Sequence, residues 1–201
     1  MNFEKIDYCY AVLRFKDRGL TAEAKYFLIR VLFIYGHAFE VNQTVLELEK
    51  QIGMSDSVLK KARDLLFEKN YLVSLIDSRT SPSSVKGRPR VGFRLSASLI
   101  TKLEQIIDDY KYKQQRTWSH AFRVERLLFW RIEKASLRYL SSKEELPKNT
   151  LISLRPATRV VLAVMYRHAD LCGAVRGMGL SELAQLSGML IDRLESHFVM
   201  V

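Results

Sequence analysis

Cationic side chains gather at two places where they could bind an anion. Lys60 and Lys61 are adjacent in a helical stretch, and the run from Lys86 to Arg90 holds three cations in five residues, with Arg79 shortly before it. Ammonium and guanidinium groups donate hydrogen bonds to phosphate oxygens and, in a DNA major groove, to guanine. The chemistry that these residue types offer is recognition of a polyanion.

The charge of the whole chain favours the same chemistry. Its 201 residues include 32 Lys and Arg against 22 Asp and Glu, which gives a formal net charge of +10 and a sequence pI near 9.7. Nucleic acid is the commonest partner of so basic a chain, although acidic proteins and anionic membranes respond to the same field. The total charge leaves these partners open, so the choice depends on where the cations lie.

Patterns that could support catalysis are incomplete. Ser57 to Lys60 fits the serine-x-x-lysine spacing of penicillin-recognising enzymes without their companion motifs. His120 to Arg123 followed by Tyr139 has part of a tyrosine-recombinase pattern without its other catalytic residues. The histidines and the two cysteines, Cys9 and Cys172, have no metal-ligand or redox spacing. We therefore expect no catalytic residue, no metal site and no cofactor.

Targeting signals are also missing from the sequence. The first residues lack the basic start and long apolar core of a signal peptide, and Lys or Arg interrupts every apolar run before it reaches a membrane-spanning length. Two distant cysteines do not make a disulfide framework. We expect a cytoplasmic protein with no membrane partner.

Hydrophobic periodicity predicts helices, a hairpin and then more helices. A short helix within residues 1–19 is followed by helices at Thr21–Tyr35, Gln43–Ile52 and from Ser55 or Asp56 to Asn70. The turn Gly53-Met54-Ser55 joins the last two helices. Tyr71–Ile76 and Val91–Leu95 are predicted strands, separated by a long, polar, basic loop, and loops of that kind are usually functional or disordered. Further helices are predicted at Leu99–Tyr112, Trp118–Leu140 and Leu154–His168.

The segment from Lys111 to Arg138 is the most basic stretch, and two interpretations of it stay open. Its cations could form a second surface that follows phosphates, or they could be the solvated face of an amphipathic helix. The candidates for this secondary basic surface are Lys111, Lys113, Arg116, Arg123 and Arg126.

An internal repeat links the two ends of the chain. Leu48 to Met54 aligns with Leu183 to Met189, Leu59 aligns with Leu194, and the preceding helices align with one residue of slippage. The second copy ends at Val201, a position equivalent to the inside of the third helix. We expect a partial second helix-turn-helix module.

The order helix, helix, glycine turn, helix and basic hairpin over residues 20–96 resembles the winged helix-turn-helix family. The stretch from Leu20 through Gly53-Met54-Ser55 to Val73 is similar to multiple-antibiotic-resistance-type repressors and to N-terminal modules of some phage and plasmid replication proteins. The resemblance implies that the third helix enters the major groove while the hairpin reaches the backbone or the minor groove.

Helical spacing agrees with that arrangement. With Leu59, Ala62 and Leu66 facing the core, polar residues of the third helix face outward. Lys60 and Lys61 could contact guanine or phosphate, or they could be ordinary solvated lysines. The candidate DNA-binding residues are Ser55, Ser57, Lys60, Lys61 and Asp64 on the helix and Arg79, Lys86, Arg88 and Arg90 on the wing.

The sequence thus predicts a mainly α protein with a small β-hairpin wing. We expect an N-terminal winged helix-turn-helix at 1–97, a helical connector at 98–146 and a partial second helix-turn-helix at 147–201. The favoured function is sequence-specific binding of double-stranded DNA by a transcriptional regulator. Initiation of replication for a plasmid, phage or other mobile element, and protein binding by a winged-helix scaffold, are the alternatives. Because one module reads few base pairs, we expect either a homodimer, with the connector as its natural interface, or two modules that bind adjacent sites.

Overall fold

The computed structural model describes residues 3–75, 90–113, 154–169 and 175–198. The elements in these ranges are α1 (Phe3–Arg14), α2 (Ala22–Tyr35), β1 (Glu40–Thr44), α3 (Val45–Ile52), α4 (Asp56–Glu68), β2 (Leu72–Ser74), β3 (Arg90–Leu95), α5 (Ala97–Lys113), α6 (Pro156–His168), α7 (Leu180–Ser187) and α8 (Ile191–Phe198). The fold is mainly helical with a small antiparallel sheet, as predicted. The helix predicted at Trp118–Leu140 lies outside the described residues.

The sheet has the strand order β1-β3-β2, with β3 paired to both neighbours in antiparallel fashion. Val41 lies opposite Phe93, and Leu72 lies opposite Leu95, and all four side chains are buried. The Phe93 ring packs against aromatic rings from α2, from the segment before β1 and from α4, which are Phe27, Phe39 and Phe67. The sheet therefore closes one side of the helical core through its central strand.

The prediction that the second helix begins at Gln43 was wrong, because Gln43 belongs to β1 and α3 begins at Val45. Thr44 ends the strand and caps the helix. Its hydroxyl accepts a hydrogen bond from the Glu47 backbone N–H at 3.3 Å, and the Glu47 carboxylate accepts one from the Thr44 backbone N–H at 2.9 Å. This reciprocal capping box fixes the start of the helix two residues later than the periodicity indicated.

Asn70 turns the chain from α4 into β2. It adopts the left-handed conformation at a φ of 56°, which asparagine tolerates better than most residues. Just beyond it, the Tyr71 hydroxyl donates to Asp17 at 2.7 Å, and the Lys69 ammonium forms an ion pair with the same carboxylate at 3.2 Å. Burial and the neighbouring Asp17 raise the pKa of Tyr71 above its ordinary value, so the phenol remains a donor. The start of the hairpin is therefore tied to the segment between α1 and α2.

Helix α2 is the centre of the fold. Most of its residues are buried, and it packs against α1, α4 and α6. One cluster of buried side chains extends from Ile6 in α1 to Leu194 in α8. The two ends of the chain therefore share a core, with α2 between them.

Two buried cations on α2 bind the carboxyl ends of two other helices. The Lys25 ammonium donates to the carbonyl oxygens of Gln185 at 3.2 Å and Leu186 at 2.6 Å, in the last turn of α7. The Arg30 guanidinium donates to the carbonyl oxygens of Gln51 at 2.7 Å and Ile52 at 3.2 Å, at the end of α3. Cations are favoured there because helix carboxyl ends expose unpaired carbonyl groups and carry partial negative charge.

A third acceptor completes the site of Lys25. Its ammonium also donates to the Phe15 carbonyl oxygen at 2.7 Å, so three carbonyl oxygens face the three N–H bonds of one ammonium group. Burial lowers the pKa of Lys25 to about 7, and the nearby carboxylate of Asp17 opposes that change. Lys25 thus joins the segment after α1, helix α2 and the end of α7.

Replacing Lys25 should destabilise the whole fold. A Lys25→Met variant keeps most of the side-chain volume but leaves buried carbonyl oxygens without their donor, and we expect the free energy of unfolding to fall by about 2–4 kcal/mol. Chemical denaturation followed by circular dichroism measures it. Lys16→Met is the matched control, because that half-exposed lysine forms only a surface ion pair with Glu182 and its loss should cost less than about 1 kcal/mol. Equal losses in the two variants would contradict the role of Lys25.

Stability should also depend on pH through this residue. The unfolded chain has Lys25 at its ordinary pKa of 10.5, whereas the folded chain has it near 7. Between these values the unfolded state binds more protons, so the free energy of unfolding should increase as pH rises. Denaturation at pH 7 and at two higher values below 10.5 should show this increase in the parent protein and a smaller one in Lys25→Met. Identical pH dependence in both proteins would show that the carbonyl oxygens hold the ammonium charged throughout.

Candidate nucleic-acid interface

Helix α4 presents one polar face to solvent. Leu59, Ala62 and Leu66 are buried, as the spacing predicted. The opposite face is exposed and carries Ser57, Lys60, Lys61 and Asp64, which recur at the three- and four-residue spacing of one helix face. The structure thus places four of the five predicted helix residues on one exposed face, and the fifth, Ser55, directly before the helix.

The turn before α4 fixes the direction of that face. Gly53 adopts the left-handed conformation with φ 77° and ψ 35°, and its backbone N–H donates to the Glu49 carbonyl oxygen at 2.8 Å. Met54 is buried beneath the turn, and Arg30 holds the last carbonyl groups of α3 from behind. The angle between α3 and α4 is therefore set by buried contacts, which leaves the outer residues of α4 open for binding.

Ser55 occupies the N-cap position of α4. Its side chain is exposed and makes no capping hydrogen bond. Ser55 therefore occupies the predicted cap position without capping the helix. Asp56 follows it in the first turn, where a carboxylate interacts favourably with the helix dipole. The Ser55 hydroxyl is thus available to donate or accept a hydrogen bond at the tip of the turn.

The exposed face of α4 is close to neutral. Lys60 and Lys61 form no ion pair among the described residues, while Asp56, Asp64 and Glu68 are also exposed. Asp64 lies 3.6 Å from the Arg63 guanidinium, a partly buried side chain on the flank of the helix. Strong attraction for phosphate therefore has to come from residues outside this face.

Two arginines of β3 supply positive charge beside the helices. Arg90 lies opposite Thr44, and both Arg90 and Arg94 are exposed. Hydrogen bonds from the backbone N–H and the hydroxyl of Thr44 hold the pKa of Glu47 below its ordinary value, with smaller contributions from Arg90 and Lys50. The field of Arg90 thus reaches the first turn of α3.

Arg94 was not among the predicted residues, although its position in the strand predicted by the sequence could have indicated it. Alternate residues of a strand share a face, so Arg90 and Arg94 project from the same side of β3 as Gly92. On that side Arg94 lies between Glu40 of β1 and Val73 of β2. Applying the two-residue period to the whole strand would have added Arg94 to the candidates.

The structure does not describe the side chains of the other predicted cations. Arg79, Lys86, Arg88, Arg116, Arg123 and Arg126 lie outside the described residues. Lys111 and Lys113 belong to the last turn of α5, where only the backbone is described. Both the basic loop and the secondary basic surface remain predictions.

The aligned turn near the chain's other end has the same local geometry. Gly188 has φ 73° and ψ 20°, and its N–H donates to the Ala184 carbonyl oxygen at 2.8 Å, as Gly53 does to Glu49. The aligned pairs of side chains are buried alike, namely Leu48 and Leu183, Met54 and Met189, and Leu59 and Leu194. The predicted correspondence between the two helix–glycine–helix segments is therefore present in the structure.

Gly188 also has a reason for being glycine that Gly53 lacks. A Cβ atom at Gly188 would lie 2.2 Å from the Leu20 carbonyl oxygen, whereas at Gly53 it would meet open space. The Gly188 carbonyl oxygen accepts a hydrogen bond from the Ala22 backbone N–H at 3.0 Å. The second turn therefore packs directly on the start of α2, backbone against backbone.

No protein family model, curated protein or solved structure gives a significant match to this chain. Within the described ranges, no three or more His, Cys, Asp or Glu side chains are arranged to hold a metal ion. None of the helices described is long and apolar enough to cross a bilayer.

Proposed function

We propose that residues 20–96 bind double-stranded DNA in a sequence-specific manner as a winged helix-turn-helix, with α4 as the recognition helix. The observation that carries the proposal is the exposed face of Ser57, Lys60, Lys61 and Asp64, presented by a turn whose geometry is held from the buried side. Such a face offers both donors and acceptors to the base edges of a major groove.

The arrangement of elements supports the same function. The order α2, α3, α4 and a hairpin of β2 and β3 resembles a winged helix-turn-helix, and β1 adds a third strand. The 13 residues of α4 extend over about 20 Å at 1.5 Å per residue, and the major groove is wide enough to admit a helix. The predicted basic loop between β2 and β3 would lie beside the recognition helix, where a wing contacts the backbone or the minor groove.

Helix and wing would then have different tasks. Carboxylates on α4 repel phosphate, so the helix adds little to non-specific affinity, while Asp64 could accept from cytosine and the lysines could donate to guanine. Arg90, together with the predicted loop cations Arg79, Lys86 and Arg88, would supply the salt-dependent attraction to the backbone. Base readout would thus depend on α4 and overall affinity on the hairpin.

The biological role that we propose for this binding is transcriptional regulation. A bound site in the form of a palindrome over a promoter would support it. Recovery of an array of repeats at a replication origin would instead assign the protein to replication initiation.

Removing the two lysines of α4 should weaken specific binding far more than non-specific binding. For Lys60→Ala/Lys61→Ala we expect a loss of about 30-fold or more in affinity for a duplex selected by the parent protein, because each of the two base contacts contributes about 1–3 kcal/mol. Fluorescence anisotropy over a series of salt concentrations measures both affinity and salt slope.

The control is Lys16→Ala/Lys102→Ala, which removes the same charge from two exposed lysines outside α4. It should retain the preference for the selected duplex over unrelated DNA. If both double variants lose that preference equally, net charge rather than α4 determines binding, and the proposal is wrong.

A further inference from the structure

The guanidinium of Arg63 on α4 is mostly buried, and its hydrogen bonds are incomplete within the described residues. Its side chain is 16% exposed. Its Nε–H is buried and has no acceptor among the residues that the structure describes. The Asp64 carboxylate lies 3.6 Å from its Nη2 atom, which allows Coulomb attraction but exceeds the length of a hydrogen bond. Since buried N–H groups nearly always have an acceptor, this side chain is unusual.

Arg63 lies on one flank of α4. Successive helix residues are about 100° apart, which places Arg63 between the buried face and the exposed face and on the same side as Phe67. The Phe67 ring lies 6.5 Å from the Phe93 ring of β3, so this flank is turned toward the sheet. Lys60 is three residues earlier and is therefore a neighbour of Arg63 on the helix surface.

Folding does not account for a cation in this position. A buried charge is costly unless it is paired and hydrogen-bonded. Lys25 and Arg30, the buried cations of α2, both donate to backbone carbonyl oxygens. Arg63 has instead one carboxylate beyond hydrogen-bond length and one neighbouring lysine that repels it. Its contacts in the described structure therefore do not offset the cost of its burial.

A helix in a major groove brings its flanks close to phosphate groups. An α-helix with its side chains is about 10–12 Å across, and the major groove is about 12 Å wide. If the exposed face of α4 meets the base edges, a residue on the flank faces the phosphates that line the groove. The planar guanidinium group donates several N–H bonds in a geometry that matches phosphate oxygens.

We propose that Arg63 donates hydrogen bonds to a backbone phosphate of the bound duplex. The inference rests on the proposed function and extends it, because it assigns part of the sequence-independent affinity to α4 itself. The outer face of the helix, with its balanced charge, would read bases, while Arg63 on the flank would hold the backbone. Binding would give the buried guanidinium the acceptor that its own chain does not provide.

The variant Arg63→Met tests this contact, because methionine fills much of the same space without charge and has a similar helix propensity. Without DNA, its thermal unfolding temperature should equal or exceed that of the parent protein, since an incompletely paired buried charge is removed. Its affinity should fall about tenfold or more, and equally for a selected and an unrelated duplex, because a phosphate contact does not depend on sequence. The slope of log affinity against log salt should decrease in magnitude by about 1. Fluorescence anisotropy and circular dichroism measure these quantities.

Two further variants separate the guanidinium from net charge. Arg193→Met removes the same charge from α8, where Arg193 forms only a surface ion pair with Glu23. It should bind both duplexes like the parent protein, because salt screens distant charges. Arg63→Lys keeps the charge but loses the planar group, so it should retain the salt slope of the parent protein and recover only part of its affinity.

The outcomes distinguish this contact from the proposed function. Unchanged affinity and salt slope in Arg63→Met, beside lost selectivity in Lys60→Ala/Lys61→Ala, would overturn the phosphate contact alone. A loss confined to the selected duplex would assign Arg63 to a base and also overturn it. A lower unfolding temperature of Arg63→Met would show that the guanidinium serves folding, against the proposal. A parent protein that binds neither duplex would contradict the proposed function and this contact together.

Discussion

The buried ammonium of Lys25 connects parts of the chain that are about 160 residues apart in sequence. Its three carbonyl partners belong to the segment after α1 and to the end of α7, so their relative positions cannot change without exposing an unpaired donor or acceptor. The close packing of Gly188 on the start of α2 depends on the same arrangement. The shared core of the two chain ends follows from this constraint.

Helix α2 binds the carboxyl ends of two other helices through buried cations. Lys25 binds the carboxyl end of α7, and Arg30, five residues later, binds the carboxyl end of α3. Each helix is followed by a left-handed glycine and then by a helix with one exposed face. The two helix–glycine–helix segments thus have the same backbone geometry but expose different side chains. Those of α4 are polar with balanced charge, whereas those at the start of α8 are apolar and acidic.

Local patterns predicted most of the described helices, because apolar periodicity and glycine or asparagine turns are encoded within a few residues. The left-handed Asn70 and the likeness between the Gly53 and Gly188 turns could both be predicted in this way. Strand β1 was missed, since Val41 is its only fully buried residue and its polar neighbours gave no strand signal. Lys25 and Arg30 could not be recognised as buried, because the carbonyl groups that satisfy them come from distant segments. The exposed face of α4 was predictable from spacing, whereas Arg94 required knowledge of which strand residues share a face.

We propose above all that the α4 face recognises a DNA sequence. Selection of bound duplexes from a random pool at near-physiological salt tests this most directly, because non-specific phosphate binding is weakened there. We expect the parent protein to enrich one motif and the variant without Lys60 and Lys61 to lose that motif. Retention of duplexes without any motif, or no retention at all, would contradict it.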